Sequence, residues 1–262
     1  MRKTKKPKIL IFVVAYNQEK IIKHLLERIP KEVINGVSEI LVADDASRDN
    51  TAKIALEYKK QHNLKKLKVV RHEINKGYGG NQKWAYDYAI KNNFDIAIML
   101  HGDAQYPPEH IPNLLFPLKE RKADFVFGSR MTGAPRKGGM PLYKFLGNKF
   151  LTTTENIILK PKPWLSEYHS GFRLYSVKAL KDIPFHKNSD DYHFDSEIII
   201  QLMIAKKKIT EKPIPTHYGD EKCNVNVIKY GFSILGLLGQ YLLHKSCLRY
   251  YEKFDVKNHN KI

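Results

Sequence analysis

Two short acidic segments of this chain combine residue types and positions that could bind a cation or a nucleotide. The segment 43–47 contains the adjacent Asp44 and Asp45 and follows the apolar run 39–42, and the segment 101–105 follows the apolar run 96–100. Apolar runs that alternate with helix-length polar segments are typical of buried parallel strands. Ligands of open α/β sheets bind at the carboxyl ends of such strands. The two segments therefore predict a site for a nucleotide diphosphate.

The second segment carries the strongest candidates for metal binding. Asp103 and Gln105 are two residues apart in an extended turn, so that a carboxylate and an amide oxygen can face one hard cation. Mg²⁺ or Mn²⁺ takes such oxygens and completes its shell with phosphate oxygens and water. A plain turn before Pro107 and Pro108 explains either residue alone, but it explains the pair poorly.

The first segment has two interpretations. Ser47 or Asp49 is sufficient to cap the helix that follows. Capping does not, however, require two adjacent aspartates at the end of the strand. A carboxylate at Asp45, with Asp44 behind it, can accept the imide or amino hydrogen of a pyrimidine. We therefore expect this segment to contact a nucleoside base.

Two turns are informative by what they contain and by what they lack. The turn 15–19 has no glycine-rich dinucleotide fingerprint, and no Walker-type loop occurs in the sequence, which argues against oxidoreductases and NTPases. Its Glu19 alone is explained as well by the electrostatics of a helix N-terminus. The glycine-rich turn 75–81 lets the backbone approach a ligand closely and precedes a helix N-terminus that favours anions.

Four charged residues farther along the chain are candidates for catalysis. Arg130 and Arg173 come just after apolar, strand-like segments, which makes them candidates for phosphate binding. Asp195 and Glu197 are either a general base or merely acids at the start of a helix, and the sequence leaves both interpretations open.

The pattern of elements predicts how these residues are positioned. Expected strands cover 8–14, 39–43, 67–71, 96–100, 125–128 and 171–176. Expected helices cover 19–28, 51–61, 80–92, 108–119, 142–159 and 194–206. This alternation predicts an α/β, Rossmann-like fold with a mostly parallel central sheet.

Composition bounds the remaining possibilities. The chain has 262 residues, a formal net charge of +18 and two cysteines without metal-site spacing, which fits a globular protein of a reducing compartment with an anionic partner. The basic N-terminus lacks the features of a signal peptide. The apolar run 227–243, which turns basic and aromatic towards residue 254, is too short to span a membrane comfortably. It predicts an interfacial helix or, alternatively, a helix packed on the domain or on a second subunit.

The ordered set of motifs resembles family 2 glycosyltransferases of the GT-A fold, and within them the branch of dolichyl-phosphate mannose synthase and its bacterial relatives. The resemblance extends over roughly residues 8 to 225. Its motifs occur in the order of the family: AYNQE at 15–19, DDAS at 44–47, NKGYGG at 75–80, HGDAQ at 101–105, GSR at 128–130, SGFR at 170–173 and YGDEKC at 218–223.

This resemblance implies roles for individual residues. Contacts to the nucleotide sugar are expected from Ala15, Tyr16, Glu19, Asp44, Asp45, Lys76, Gly77, His101 and Gly102. Asp103 and Gln105 are expected to hold the metal on the diphosphate, whereas Arg130, Arg173 and Lys222 are expected to face phosphates. The family usually has an aspartate where this chain has His101, so metal binding is expected to persist and the choice of sugar becomes uncertain.

The resulting hypothesis is an inverting glycosyltransferase domain at 8–225, between a basic arm at 1–7 and an interfacial tail at 226–262. If the acceptor is a polyprenyl phosphate, its oxygen is already anionic and no strong base is needed; if it is a sugar hydroxyl, Asp195 or Glu197 must act as base. The lipid acceptor is preferred, with the protein peripheral on the cytoplasmic face of an anionic membrane. A sugar-phosphate nucleotidyltransferase fits less well, because this chain lacks the glycine-rich loop that such an enzyme carries after its first strand. A nucleic-acid-binding protein also fits less well, because the acids at the strand ends would repel phosphates unless a metal intervened.

Overall fold

The computed structural model of the protein describes residues 6–133, 135–136, 138–215 and 226–259. In these ranges the chain forms one seven-stranded sheet, with the strands β1 (Ile9–Ala15), β2 (Glu39–Asp44), β3 (Leu67–Arg71), β4 (Ile96–His101), β5 (Phe125–Ser129), β6 (Arg173–Ser176) and β7 (Ile209–Pro213). The α-helices are α1 (Ile22–Arg28), α2 (Lys31–Gly36), α3 (Thr51–Gln61), α4 (Gly77–Lys91), α5 (Ile111–Lys119), α6 (Leu142–Leu159), α7 (Val177–Lys181), α8 (Phe194–Ile204), α9 (Val227–Lys245) and α10 (Val256–His259).

The sheet is mostly parallel, as the sequence predicts, and its strand order is β3-β2-β1-β4-β6-β5-β7. Only β6, among these seven strands, runs antiparallel to its neighbours β4 and β5. The register pairs Ala15 with Asp44 and Val14 with His101. The ends of β1, β2 and β4 therefore meet at one edge, where open α/β sheets bind their ligands.

The core lies on both faces of the sheet, which explains the unbroken apolar runs of the central strands. Because side chains alternate along a strand, Ile9, Ile11 and Val13 of β1 pack in the cluster that also contains residues of α1, α3 and α5. Leu10 and Phe12 pack on the other face with residues of α4, α7 and α8. Each strand is thus fixed from two sides, and the loops at its end start from rigid positions.

Most of the expected elements are confirmed with small shifts of their ends. The helices expected at 51–61 and 142–159 and the strand expected at 67–71 have the observed boundaries, and the expected helix 80–92 begins earlier, at Gly77. The short helices α2 and α7 and the strand β7 were not expected. In β7 four of five residues are only half-buried, so it lacks the continuous apolar run that marks the other strands.

Helix α9 packs on the body of the protein along one face. Ile234 and Leu238 contact Leu151 of α6, and Leu237 packs with Ile200 of α8 and with Phe254. In the described part of the chain, no helix has both the length and the apolar character needed to cross a bilayer.

The glycine-rich turn that is predicted to approach a ligand also approaches another loop of the protein. A Cβ atom on Gly79 would lie 2.5 Å from the carbonyl oxygen of Ser189, and the Gly79 amide donates to the carbonyl of Asp190 at 2.8 Å. Lys83 of the same helix also pairs with the Asp190 carboxylate. The N-terminus of α4 is thereby clamped against the loop before α8.

We predict that Gly79→Ala destabilises the protein by about 1–3 kcal/mol, because the new methyl group must displace backbone rather than a flexible side chain. Gly236→Ala is the matched control, since a Cβ there meets nothing within 4 Å and alanine is the better helix former by roughly 0.5–1 kcal/mol. Urea unfolding of both variants measures the difference. Equal stability of the two variants would contradict the clamp.

Candidate active site

Two loops at the carboxyl edge of the sheet are fastened to each other by a ladder of hydrogen bonds. The backbone amides of residues 17, 18 and 19 donate in turn to Ser47 Oγ at 2.9 Å, Thr51 Oγ1 at 2.7 Å and Asp49 Oδ2 at 3.1 Å. In the other direction, the Asn50 amide donates to Glu19 Oε2 at 3.1 Å. The polar residues after β2 thus fix the loop after β1 and do more than start α3.

Two adjoining cavities open at this edge. The smaller has a volume of about 580 Å³ and is lined by residues that include Ala15, Tyr16, Asp45, Gly77 and Gly102. The larger, of about 810 Å³, extends to α6 and α9. Five residues line both cavities and mark their junction: Gln18, Tyr78, His101, Asp103 and Tyr192.

The two adjacent aspartates have different positions. Asp45 lines the smaller cavity while its Oδ1 accepts the Lys76 amide at 2.8 Å. Burial raises the pKa of Asp45, and that hydrogen bond opposes the shift. Asp44 is fully buried and lines neither cavity; its Oδ1 accepts hydrogen bonds from Ser47 and its Oδ2 lies 3.6 Å from Arg71 Nε. The expectation that Asp44 contacts a nucleotide is therefore wrong, because its carboxylate is used to fold the loop.

Two other expected nucleotide contacts also have structural partners. The Lys76 side chain lines neither cavity, and its backbone amide holds Asp45, so the expected contact of this lysine side chain is not found. Glu19 lines the larger cavity, but its Oε2 accepts both the backbone and the side-chain amide of Asn50.

Asp103 and Gln105 lie where the sequence predicts a metal site. Asp103 belongs to the lining of both cavities and Gln105 to that of the larger one. Asp103 Oδ1 accepts the Gln105 amide at 3.1 Å, and no hydrogen bond to its Oδ2 comes from any residue that the structure describes. Burial raises the pKa of Asp103, which the hydrogen bond from Gln105 opposes. One half-buried carboxylate with a free oxygen suits a cation that takes its other ligands from phosphates and water.

His101 lies at the junction and is held from two sides. Its Nε2 is 3.1 Å from the Tyr78 hydroxyl, and its ring stands perpendicular to that of Tyr106 with 5.0 Å between centroids. Burial lowers the pKa of His101 to about 4, and the charges of Arg173 and Arg130 act in the same direction, against an opposite effect of Asp195. The imidazole is consequently neutral near pH 7.

Arg130 reaches the larger cavity in partnership with a buried acid. Its guanidinium forms an ion pair with Glu167, whose side chain is completely enclosed, and its backbone amide donates to Glu167 Oε2 at 2.8 Å. Burial alone would raise the pKa of Glu167, but the charge and hydrogen bonds of Arg130 outweigh it and lower the pKa. Arg130 can still face an anion in the cavity, with part of its charge neutralised.

Arg173 does not face a phosphate. Its side chain is wholly buried, and its guanidinium donates to the backbone carbonyls of Ser170, Asp195 and Tyr168 at 2.7–2.8 Å. Its Nε lies 3.7 Å from Asp195 Oδ1. The expectation of a phosphate contact is wrong, because the first residue of β6 points into the core between the sheet and α8.

The two candidate bases also differ in whether they line the cavity. Asp195 lines the larger cavity, although its oxygens accept hydrogen bonds from Tyr78 at 2.8 Å and Gln82 at 3.2 Å. Glu197 is fully buried and accepts the Ser189 amide and the Lys253 ammonium, each at 2.7 Å. Residues two apart on a helix point about 200° apart, so both cannot face the cavity. Glu197 is therefore excluded as the base.

A polar cluster in the wall of the larger cavity was not predicted from the sequence. His169 Nδ1 lies 2.9 Å from the Tyr230 hydroxyl of α9, and its Nε2 lies 3.2 Å from Glu155 Oε2 of α6. Glu155 is completely buried, and neither of its oxygens has an aligned hydrogen bond from the described residues. Tyr78 was missed as well, although it is part of the glycine-rich motif. Lys222, expected to face a phosphate, lies outside the described residues.

Comparison with known proteins identifies the family. Residues 10–184 match the family described as glycosyl transferase family 2. The chain belongs to this family. It is 30% identical to a UDP-N-acetylglucosamine–dolichyl-phosphate N-acetylglucosaminyltransferase of Methanococcus voltae, over 80% of this chain and 86% of the relative. The protein is thus a nucleotide-sugar-dependent glycosyltransferase, as the motifs predict.

Solved structures of low sequence identity confirm the GT-A fold. Mannosyl-3-phosphoglycerate synthase from Rubrobacter xylanophilus superimposes with a TM-score of 0.70 at 16% identity, over 95% of this chain and 79% of that one. Glucosyl-3-phosphoglycerate synthase from Mycobacterium tuberculosis, in complex with Mn²⁺, UDP and phosphoglyceric acid, gives a TM-score of 0.64 at 15% identity, over 90% and 78% of the two chains.

We predict that Glu167→Gln destabilises this glycosyltransferase by about 3 kcal/mol at neutral pH, because it leaves the Arg130 charge without its buried partner. The native pKa of Glu167 lies below the ordinary 4.5. The pair therefore contributes fully above that pH, and its contribution is lost as the pH falls through the native pKa. The gap between variant and wild type must shrink on acidification. Urea unfolding of the variant and the wild type, at neutral pH and at a pH below 4.5, measures this difference in stability.

Glu109→Gln is the control for this experiment. Glu109 forms a comparable ion pair with Arg28, but its side chain is 47% exposed, and exposed pairs contribute at most about 1 kcal/mol. Equal losses for Glu109→Gln and Glu167→Gln would show that burial of the Arg130 pair has no special effect.

Proposed function

We propose that this glycosyltransferase is inverting and transfers a sugar from a nucleotide sugar to a polyprenyl phosphate. The observation that carries the proposal is the composition of the larger cavity. Its lining includes Asp103 and Gln105 as well as Met140, Tyr143, Leu151, Val227 and Ile228. Such a cavity suits an acceptor with an ionic head and an apolar chain.

We assign the nucleoside to the smaller cavity, again from the residues that line it. Asp45 there offers a carboxylate, and Ala15 and Gly102 leave space for a base and a ribose. A Cβ on Gly102 would come within 3.1 Å of the Ala15 side chain, so these two residues pack closely against each other. The diphosphate then lies at the junction, beside Asp103.

Asp103 and Gln105 would hold Mg²⁺ or Mn²⁺ against the diphosphate. A divalent cation bound there supplies positive charge that stabilises the departing nucleoside diphosphate. Arg130, which also lines the larger cavity, adds electrostatic stabilisation from the protein itself. The Mycobacterium tuberculosis neighbour was crystallised with Mn²⁺ and UDP, in agreement with this assignment.

The positions of the two candidate bases favour an anionic acceptor, which needs no base. A sugar hydroxyl must lose a proton as it attacks, whereas a phosphate oxygen is already ionised. Glu197 is buried away from the cavity, and both oxygens of Asp195 accept hydrogen bonds from Tyr78 and Gln82. The dolichyl-phosphate named as acceptor of the Methanococcus voltae relative supports the same choice.

An apolar surface leads from this cavity to the outside. On α6 the exposed residues Tyr143, Leu146, Phe150 and Ile157 follow one helical face, and on α9 the exposed residues Ile228, Phe232, Leu235 and Leu242 do the same. Tyr143 and Ile228 also line the larger cavity, so both stripes begin at its rim. Basic residues such as Lys144, Lys149, Lys229 and Lys245 are interspersed. We infer that these stripes rest on an anionic membrane, which keeps the protein peripheral.

The catalytic part of the proposal predicts that Asp103→Asn lowers transfer by roughly a hundredfold or more, because a cation at such a site is worth several kcal/mol. It should also abolish the Mn²⁺-dependent part of UDP binding in calorimetry. Asp95→Asn is the control, since Asp95 lies before the opposite end of β4 and accepts the Lys8 amide. Full activity of Asp103→Asn, or of wild type in excess chelator, would refute the assignment.

The membrane part predicts that the double variant Phe150→Ser and Phe232→Ser binds vesicles of phosphatidylcholine and phosphatidylglycerol at least about tenfold more weakly, since each phenylalanine contributes up to about 1.5–3 kcal/mol when it leaves water. Both side chains are more than 60% exposed, so the fold should persist. Phe116→Ser on α5, where the phenylalanine is also exposed, serves as control. Undiminished binding of the double variant would return α9 to a packing role.

A further inference from the structure

The turn that carries Asp103 and Gln105 is held from outside by one arginine. Arg28, the last residue of α1, donates from its Nη1 to the carbonyl oxygen of Ala104 at 2.9 Å. Its Nε and Nη2 donate to the two carboxylate oxygens of Glu109 at 2.9 and 3.0 Å. One planar guanidinium therefore joins α1 to the middle of the turn and to the acid that follows it. None of these three bonded residues lines either cavity.

The backbone at the centre of this turn needs such a support. Ala104 has a φ of +57°, in the left-handed region that residues other than glycine rarely adopt. Strained backbone of this kind persists only where its surroundings hold it. The Ala104 amide donates to the His101 carbonyl at 3.2 Å, and its side chain is buried in the core cluster that contains residues of α1. Arg28 holds the remaining polar group of Ala104, its carbonyl.

The carbonyl that Arg28 holds belongs to the same peptide unit as the Gln105 amide. A trans peptide is planar, so its carbonyl and its N–H point in opposite directions. Because the carbonyl is fixed on Arg28, the N–H is directed to the other side, where it donates to Asp103 Oδ1 at 3.1 Å. The charge beside the carbonyl also strengthens the N–H as a donor, since hydrogen bonds in series polarise one another. The Asp103 carboxylate is thereby held by one oxygen, and the other is left for a cation.

An arginine is needed for this set of contacts. Its N–H groups lie in one plane, so that one edge can meet a carboxylate with two parallel bonds while the remaining nitrogen meets a carbonyl. A lysine ammonium keeps the charge, but it is a compact point donor that cannot span both groups. The Arg28 side chain is 27% exposed and that of Glu109 47%, so the pair contributes little to the stability of the fold. We expect its effect on the turn instead.

We propose that Arg28 is a positioning residue for the divalent cation and that it acts through the peptide unit between Ala104 and Gln105. It fixes the rotation of that peptide, and so the direction of the Asp103 carboxylate, without contact to the cation or the nucleotide. The inference rests on the proposed function, because it takes Asp103 and Gln105 as the residues that hold Mg²⁺ or Mn²⁺. It makes the affinity for the cation depend on a side chain outside both cavities.

The turn is tested first, in the full chain without metal or nucleotide. Hydrogen exchange of the Gln105 amide, followed in ¹H–¹⁵N spectra, reports whether that amide stays bonded to Asp103. In Arg28→Lys we expect this amide to exchange about tenfold faster, while the amides of β1 keep their wild-type rates. Lys23→Met is the matched control and should exchange as wild type, since Lys23 lies on the same helix and forms an exposed pair with Glu27 at 3.8 Å. Unchanged exchange of the Gln105 amide in Arg28→Lys would overturn the inference.

The cation is tested next, by electron paramagnetic resonance of free Mn²⁺ in titrations with and without UDP. We expect Arg28→Lys to bind Mn²⁺ about ten- to a hundredfold more weakly, which is the usual effect of disturbing the hydrogen bonds that orient a ligating carboxylate. Lys23→Met should bind Mn²⁺ as wild type does, and UDP binding in excess chelator should be equal in all three proteins. Equal Mn²⁺ affinity of Arg28→Lys and wild type would refute the inference and leave the proposed function intact. If wild type binds no Mn²⁺ in either titration, the metal assignment of the proposed function fails, and the inference fails with it.

Discussion

The buried charge pair of Arg173 and Asp195 is the interaction on which the carboxyl edge of the sheet depends. Arg173 begins the single antiparallel strand of the described sheet, and its guanidinium ties that strand to three backbone carbonyls and to α8. Burial opposes the charge of Arg173, but Asp195 outweighs this and raises its pKa. Loss of either partner would leave an uncompensated buried charge, which costs about 3–5 kcal/mol. From Asp195 the constraint passes to α4 through Tyr78 and Gln82.

The acids of this basic protein fall into two groups that the net charge alone does not distinguish. Asp44, Glu167 and Glu197 are enclosed and bonded to amides or cations, so they shape loops and helices. Asp45 and Asp103 each use one oxygen for a backbone amide and line a cavity with the rest of the carboxylate. In the proposed function, the excess of positive charge elsewhere raises the local concentration of anionic substrates, and these two acids contact the nucleoside and the cation.

What the sequence predicted well depends on position along a strand. The expected runs located six strands, and the residue directly after a run necessarily lies at the sheet edge, which is why Asp45, His101 and Asp103 were found. The direction of a side chain is not contained in that pattern. Arg173 of the SGFR motif and Glu197 near the start of a helix were both expected to face the site, yet both side chains are fully buried. The partners of Tyr78 and His169 come from helices 117 and 61 residues away, and no local spacing reveals such pairs. The antiparallel course of β6 also escapes the pattern, because its apolar residues fit either direction.

The wall of the larger cavity explains why α9 belongs to the site as well as to the surface. Tyr230 of α9 meets His169, and His169 meets Glu155 of α6, whose buried oxygens have no aligned hydrogen bond among the described residues. Removal of α9 would take away Tyr230 and admit water beside Glu155. The helix that carries an exposed apolar stripe is therefore held in place by the same polar cluster that lies in the wall of the larger cavity.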